Sequence, residues 1–155
     1  MKRVLLRTRA MRLTSIAMLL SGAVACASST ALEEALEVTA LAPQYQRDSL
    51  GMVAISYRVS NAGGDAVYLE TCGGAINAAL DQRVSSTVWI ESTSAIGLCY
   101  SSFSAGPYRL EPGASVQAVQ TARPAPGVYR LSVPVATSPT AASDRHATSG
   151  AIRII

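Results

Sequence analysis

The amino-acid sequence predicts an all-β domain, an antiparallel sandwich of seven or eight short strands. Three observations support this prediction. Apolar and polar residues alternate through much of the chain after residue 35, which is the period of a strand with one buried face. Pro-Gly and Gly-Gly pairs interrupt these runs as turn signals. The runs between the interruptions are short, as in most sandwich strands.

The first half of the domain contains three predicted strands. Residues 34–41 form the first, although residues 32–36 could begin as a helical turn. The clearest run lies at residues 53–59, where Val, Ile, Tyr and Val occupy every second position and predict one buried face. Turn residues at 61–65 end it, and the next run spans residues 67–72 before a Gly-Gly pair.

The second half contains the remaining predicted strands. Residues 84–90 alternate again, with Val84, Ser86, Val88 and Ile90 on one face and Trp89 on the opposite face. Ile, Leu and Tyr surround the cysteine within residues 96–100. Later runs follow two Pro-Gly turns, at residues 115–121 and 129–135, and Ile152 and Ile154 are expected to face inward on a last strand.

Two residues refine the prediction for the strand at 129–135. The sequence Pro-Gly-Val-Tyr places Tyr129 at the start of this strand, which resembles the tyrosine corner of Greek-key sandwiches such as immunoglobulin-like and fibronectin type III domains. The alternative is an ordinary strand tyrosine after a turn. Pro134 cannot donate a ladder hydrogen bond, so we expect the strand to be bulged or to lie at an edge there.

A series of short motifs resembles a known family over residues 50–135. The motifs are Tyr-Arg-Val-Ser-Asn at 57–61, Val-Tyr-Leu at 67–69, Trp89, Leu-Glu-Pro-Gly at 110–113 and Pro-Gly-Val-Tyr-Arg-Leu at 126–131. They resemble the immunoglobulin-like β-sandwich of the bacterial intracellular proteinase inhibitor (BsuPI-type) family and of many small exported domains. The resemblance implies this fold and, by the family's name, proteinase inhibition. No reactive-site residue of this sequence matches a family motif.

Residues 1–25 are predicted to be a lipoprotein signal peptide. Five basic residues and no acidic residue occur within residues 1–12, a short apolar run fills residues 13–20, and small residues lead to Cys26. This is the layout of a secretory signal. The cysteine at the cleavage point resembles the bacterial lipoprotein pattern, in which that residue is acylated and becomes the new N-terminus.

Two alternatives remain for this segment. Ordinary signal peptidase could cleave after Ala25 or Ala27, since both positions satisfy a small-x-small rule. An uncleaved anchor is disfavoured because a transmembrane helix needs about 20 apolar residues. The residue after Cys26 is Ala27. An Asp at this position would resemble an inner-membrane retention signal, and Ala27 does not. We therefore expect an exported, membrane-anchored lipoprotein, in the outer membrane of a two-membrane cell and facing the periplasm or the exterior.

The expected mature chain consists of a short tether at residues 26–34 and one domain at residues 35–155. Its eight Arg residues stand against ten acidic residues, a formal net charge of −2, and it contains no Lys. The basic character of the whole chain therefore comes from the signal segment. Nucleic-acid binding needs clustered basic residues, and the Arg residues are scattered, so no nucleic-acid partner is expected.

The cysteines also fit an exported protein. If Cys26 carries lipid, Cys72 and Cys99 remain as a pair that would form a structural disulfide in an oxidising compartment. The bridged loop of about 28 residues would contribute roughly 3–4 kcal/mol in the chain-entropy model. The alternative is two buried free thiols. A zinc site is disfavoured, because His146 is the only His and no Cys-x-x-Cys spacing occurs.

No sequence pattern indicates catalysis, so we expect no enzymatic activity, cofactor or metal. Neither a Gly-x-Ser-x-Gly elbow nor a phosphate loop is present. His146 lies in a polar stretch that predicts a solvated loop, unlike the packed histidine of a catalytic triad. The acidic residues are dispersed, and no Asp-x-Asp run suggests calcium binding.

Aromatic residues supply the candidate binding surface. Tyr100, Phe103 and Tyr108 lie among Ser, Gly and Pro, and amphipathic aromatics in such segments often form recognition surfaces. Trp89 is a second candidate. The alternatives are that Tyr100 and Tyr108 pack at the rim of the sheet and that Trp89 covers it.

These observations lead to one functional hypothesis with two alternatives. We expect a non-enzymatic cell-envelope interaction domain, held at the membrane by a lipid on Cys26 and binding a protein partner that the sequence does not identify. The first alternative is an exported proteinase inhibitor, which the family resemblance implies. The second is a structural subunit of an envelope complex.

Overall fold

The structure is a computed structural model, and it describes residues 35–93, 106–143 and 145–155. These residues form thirteen strands and no helix, so the predicted all-β class is confirmed. In chain order the strands are β1 (Leu36–Ala40), β2 (Gln44–Tyr45), β3 (Val53–Asn61), β4 (Val67–Leu69), β5 (Thr71–Cys72), β6 (Ala75–Ile76), β7 (Ala79–Arg83), β8 (Trp89–Thr93), β9 (Tyr108–Leu110), β10 (Ser115–Ala122), β11 (Gly127–Ala136), β12 (Arg145–Thr148) and β13 (Ile152–Ile154).

The strands form two larger sheets and one small one. The first sheet has the order β1-β3-β10 and is antiparallel. The second has the order β2-β13-β11-β4-β9, with β12 and β7 also on β11 and β8 on β7. Its β13–β2 pairing is parallel, whereas the pairs that β11 makes are antiparallel. Buried side chains from both sheets form one apolar cluster, which is consistent with a β-sandwich.

Strands β4 and β7 pair with the same edge of β11, one after the other, as if they were two parts of one interrupted strand. Leu69 of β4 lies opposite Val135, and Ala79 of β7 lies opposite Ser132. The residues between them leave this edge of β11 as the small β5–β6 hairpin, and its base is closed by the Asn77 N–H, which donates to the Glu70 carbonyl at 2.8 Å. Two glycines with positive φ, 59° and 84°, make its turn.

Pro134 lies opposite this interruption. Leu131 exchanges hydrogen bonds with Ser149, accepting from its N–H and donating to its hydroxyl, both at 2.9 Å. Odd-numbered residues of β11 thus direct their backbone groups toward β12, and even-numbered ones toward β4 and β7. The donor that Pro134 lacks would point into the gap between β4 and β7. The irregularity expected at Pro134 therefore occurs as a break in the neighbouring strand.

The prediction of one continuous strand over residues 84–90 is wrong. β7 ends at Arg83 and β8 begins at Trp89, and the five residues 84–88 join them, the central three being Ser, Ser and Thr. The Val84 N–H donates to the Val88 carbonyl at 3.0 Å, and the Val88 N–H donates to the Ser85 hydroxyl at 3.2 Å. Val84, Val88 and Ile90 stand at even spacing on both sides of this turn, so the period of two continues through it in the sequence.

The predicted number of strands is also too low, since the structure describes thirteen. The number of strands is higher because interruptions divide longer extended segments into several short strands, as at β4 and β7. The predicted strand around Cys99, the signal peptide at 1–25 and the tether at 26–34 lie outside the described residues.

Candidate interaction surfaces

Trp89 belongs to a polar cluster on the outer face of the larger sheet. Arg130 of β11 lies opposite Asp81 of β7, and Trp89 of β8 lies opposite Arg83. The Arg130 Nε is 2.9 Å from the Asp81 Oδ2, and its guanidinium carbon is 4.9 Å from the centroid of the Trp89 ring. One Arg thus makes an ion pair and a cation–π contact, which hold the β7–β8 hairpin against β11.

Tyr108 lies on the opposite face of the same sheet. It is the cross-strand partner of Leu69, whose side chain is fully buried in the core, so both point inward. Its position at the rim leaves Tyr108 42% exposed. The structure therefore does not bring Tyr108 and Trp89 onto one surface. The other two aromatic candidates, Tyr100 and Phe103, lie outside the described residues.

The β7–β8 hairpin exposes an apolar surface. Val84 and Val88 face each other across the turn, and Ile90 follows two residues later on the same side of β8. They are 53%, 48% and 49% exposed. We call these three residues the hairpin patch. Clustered exposed aliphatic side chains of this kind mark interaction sites more often than isolated ones do.

Two concave surfaces border the sheets. A cleft of about 310 Å³ lies between β4 and the chain after β11, with Tyr68, Ala136 and Pro139 among its lining residues and Glu70 as its described carboxylate. This volume is at the lower end of the range for small-ligand sites. A larger, open groove of about 750 Å³ runs along β1. Neither surface was predicted, because each depends on the packing of distant segments.

His146 lies in β12, so the prediction of a loop histidine is wrong. Its ring is exposed, and its Nδ1 is 3.1 Å from the hydroxyl oxygen of Ser132, which is buried. Nucleophilic catalysis by such a pair needs an accessible hydroxyl and a third group that orients the ring. In the described part of the chain no carboxylate pairs with His146. The contact is therefore explained as a cross-strand hydrogen bond.

Three further observations concern metals, membranes and cysteines. Within the described ranges, no three His, Cys, Asp or Glu side chains come together in a group able to hold a metal ion. The same residues contain no helix with the length and apolar character needed to cross a membrane. Cys72, in the β5–β6 hairpin, is disulfide-bonded. Its predicted partner Cys99 lies outside the described residues.

Tyr129 makes a hydrogen bond of the kind found in tyrosine corners. Its ring is fully buried, and its hydroxyl donates to the carbonyl of Ala125, four residues earlier, at 2.8 Å. Gly127 lies between them, and a Cβ there would be 3.1 Å from the Tyr129 ring. The start of β11 therefore favours glycine at this position.

Comparison with known proteins identifies no family. No family model matches the chain, and no curated protein matches it. Among solved structures, the X-ray structure of Northeast Structural Genomics Consortium target SoR45 is 14% identical. The match covers 80% of this chain and 89% of that chain with a TM-score of 0.39. A likeness at this level carries no argument about fold or function.

Proposed function

We propose that this protein is an exported, lipid-anchored interaction domain of the cell envelope that binds a protein partner and catalyses no reaction. The observation that carries the proposal is the hairpin patch. Its three aliphatic side chains, Val84, Val88 and Ile90, are each about half exposed and share one face. Exposed apolar side chains that cluster in this way are typical of protein-binding surfaces.

The anchor in this proposal is a lipid on Cys26. Residue 35 directly precedes β1, so the tether at residues 26–34 would be about nine residues long. Such a segment spans at most about 30 Å when fully extended. The domain would therefore stay close to the membrane surface, where it could contact other envelope proteins.

An immunoglobulin-like Greek-key sandwich is the fold proposed for the domain. The Tyr129–Ala125 hydrogen bond supports this assignment, because the tyrosine corner characterises such folds. The apolar cluster shared by the two larger sheets agrees with it.

We also propose that Cys72 pairs with Cys99. Cys72 lies in the β5–β6 hairpin, which interrupts the line from β4 to β7. Cys99 lies in the segment joining β8 to β9, and these two strands pair with β7 and β4 respectively. The described ends next to this segment, Thr93 and Tyr108, lie opposite Leu80 and Leu69, on either side of the β5–β6 hairpin. Thr71 strengthens the argument, because its hydroxyl donates to the Gly106 carbonyl at 2.6 Å and joins the two regions.

Crosslinking in intact cells, followed by mass spectrometry, tests the proposed function. Wild-type protein should yield one dominant partner, and Cys26→Ser should lose it because the domain leaves the membrane. Val84→Ser combined with Val88→Ser should lower the yield at least several-fold while the anchor remains. Val119→Ser is the matched control, because Val119 is 53% exposed on β10, away from the hairpin.

The outcomes separate the proposal from its alternatives. Equal crosslinking by the hairpin variant and the Val119→Ser control would exclude the hairpin patch. A diffuse set of abundant envelope proteins would exclude a specific interaction. A captured proteinase, inhibited by the purified protein, would favour the exported inhibitor, and constant stoichiometry with one assembly would favour a structural subunit.

A further inference from the structure

In the described part of the chain, no strand pairs with the outer edge of β8. Among the described strands β8 pairs only with β7. The Val84 N–H bonds to the Val88 carbonyl, so these two residues form a hydrogen-bonded pair. Pairs alternate along an antiparallel ladder, which makes Arg83–Trp89 a non-hydrogen-bonded pair. Trp89 and Glu91 therefore direct their backbone N–H and C=O groups away from β7, toward this outer edge.

Between residues 88 and 91 this edge carries few of the features that usually prevent pairing, although a bulge follows at Ser92. Edge strands are commonly protected by Lys, Pro, a bulge or an inward charge. Residues 88–91 contain neither Lys nor Pro, and their one charged residue is Glu91. Leu80 pairs with Thr93 and Asp81 pairs with Glu91, so Ser92 is the extra residue of a bulge on β8 and the ladder is irregular beyond Glu91. The accessible regular edge is thus short and ends at Glu91.

We propose that a second copy of this chain pairs with the outer edge of β8, antiparallel, across a twofold axis at Ile90. In this register Trp89 lies opposite the partner's Glu91. Both residues have outward backbone groups, so they can form a hydrogen-bonded pair, and the axis repeats this pair on the other side. Ile90 meets the partner's Ile90 as a non-hydrogen-bonded pair, in which side chains approach closely.

Charge complementarity favours a second copy over an unrelated strand. The outer face carries Arg83 beside Trp89 and carries Glu91 one step farther along β8. The antiparallel arrangement places the partner's Glu91 beside Trp89 and on the same row as Arg83, so on each side of the axis an Arg lies two strands from a carboxylate with Trp89 between them. An axis at Glu91 would instead oppose two carboxylates. On the inner face the two hairpin patches become continuous.

This inference goes beyond the proposed function, because it depends neither on the identity of the envelope partner nor on the anchor. Cysteine crosslinking of the purified full chain in detergent, with a mild oxidant, tests it. Ile90→Cys should give mostly disulfide-linked dimer, because the two introduced cysteines would face each other. Val88→Cys should give several-fold less, because it would lie opposite the partner's Ser92.

Val119→Cys provides the control for random collision, since its exposure, 53%, matches that of Ile90 at 49%. It should remain monomeric under the same oxidant. Absence of dimer from Ile90→Cys would overturn the proposal. Equal dimer from all three variants would overturn it as well, because the link would then be independent of register.

Light scattering on the full chain supplies a second test. Wild-type protein should have the mass of a dimer at micromolar concentration, and a monomer throughout would contradict the inference. Glu91→Pro should be monomeric yet folded by circular dichroism, because the donor it removes points away from β7. Glu91→Arg should also be monomeric, and adding Arg83→Glu should restore the dimer. Crosslinking of the envelope partner by monomeric variants would show that the proposed function stands without the dimer.

Discussion

Tyr57 places a phenol in the core of β3. Its side chain is fully buried, and its hydroxyl donates to the Ile76 carbonyl at 3.1 Å. Burial raises the pKa of Tyr57 above its ordinary value of 10.0, because the phenolate would lose its hydration. The protonated form is therefore favoured in the folded state. Its contribution to stability is complete below about pH 10 and is lost as the pH rises further.

This linkage predicts a specific effect of Tyr57→Phe. The free energy of unfolding of the wild type should fall above about pH 10, and the variant should show a shallower fall because it lacks the buried ionisable group. At neutral pH the variant should be about 1 kcal/mol less stable, since the Ile76 carbonyl loses its donor. Denaturant unfolding at several pH values measures both effects. Tyr108→Phe, at an exposed position, should keep the wild-type slope; an unchanged slope in Tyr57→Phe would refute the assignment.

At the scale of elements, Asn61 joins two turns that are distant in sequence. Its side-chain Nδ2 donates to the carbonyls of Asp65 and Leu110 at 2.8 and 3.2 Å, and its Oδ1 accepts from the Gly63 N–H at 3.0 Å. The side chain is 1% exposed. One buried amide thus fixes the β3–β4 turn relative to the end of β9.

Substitution of Asn61 should consequently destabilise the domain. Asn61→Ala leaves buried backbone groups without partners, and we expect a loss of about 2 kcal/mol or more in unfolding free energy. Asn61→Asp should cost at least as much, because a carboxylate cannot donate to the two carbonyls. Urea unfolding provides the measurement, with Gln117→Ala, exposed on β10, as the control. A loss for Asn61→Ala no larger than that of this control would contradict the prediction.

The elements also show what the sequence can predict. The alternation at residues 53–59 corresponds to a strand in which every second side chain is buried, and Ile152 and Ile154 face inward as expected. The β5–β6 hairpin was missed because it becomes visible only when β4 and β7 align on the distant β11. Similarly, the face of Trp89 follows from alternation, but its contact with Arg130 requires the pairing between β7 and β11.

At the scale of the whole molecule, β4 and β7 pair with β11 on either side of the β5–β6 hairpin. β9 pairs with β4, and β8 pairs with β7. A Cys72–Cys99 disulfide would connect this hairpin to the segment that joins β8 to β9. Its effect should be global, because it would restrict the unfolded chain over a loop of about 28 residues.

The proposed pairing predicts how reduction and substitution affect stability. Reductant should lower the unfolding free energy of the wild-type chain by roughly 3–4 kcal/mol. The Cys72→Ser/Cys99→Ser variant should start at the lower value and not respond to reductant. Thiol labelling of denatured, unreduced protein should detect no free cysteine in the lipid-bearing wild type and one in Cys72→Ser. Two labelled thiols in the wild type would exclude the bridge. One labelled thiol would indicate that Cys26 lacks its lipid, and the response of the unfolding free energy to reductant would then decide whether Cys72 and Cys99 are bridged. The proposed lipid anchor depends on Cys26 and the proposed disulfide depends on Cys72 and Cys99, so the two proposals can be refuted independently.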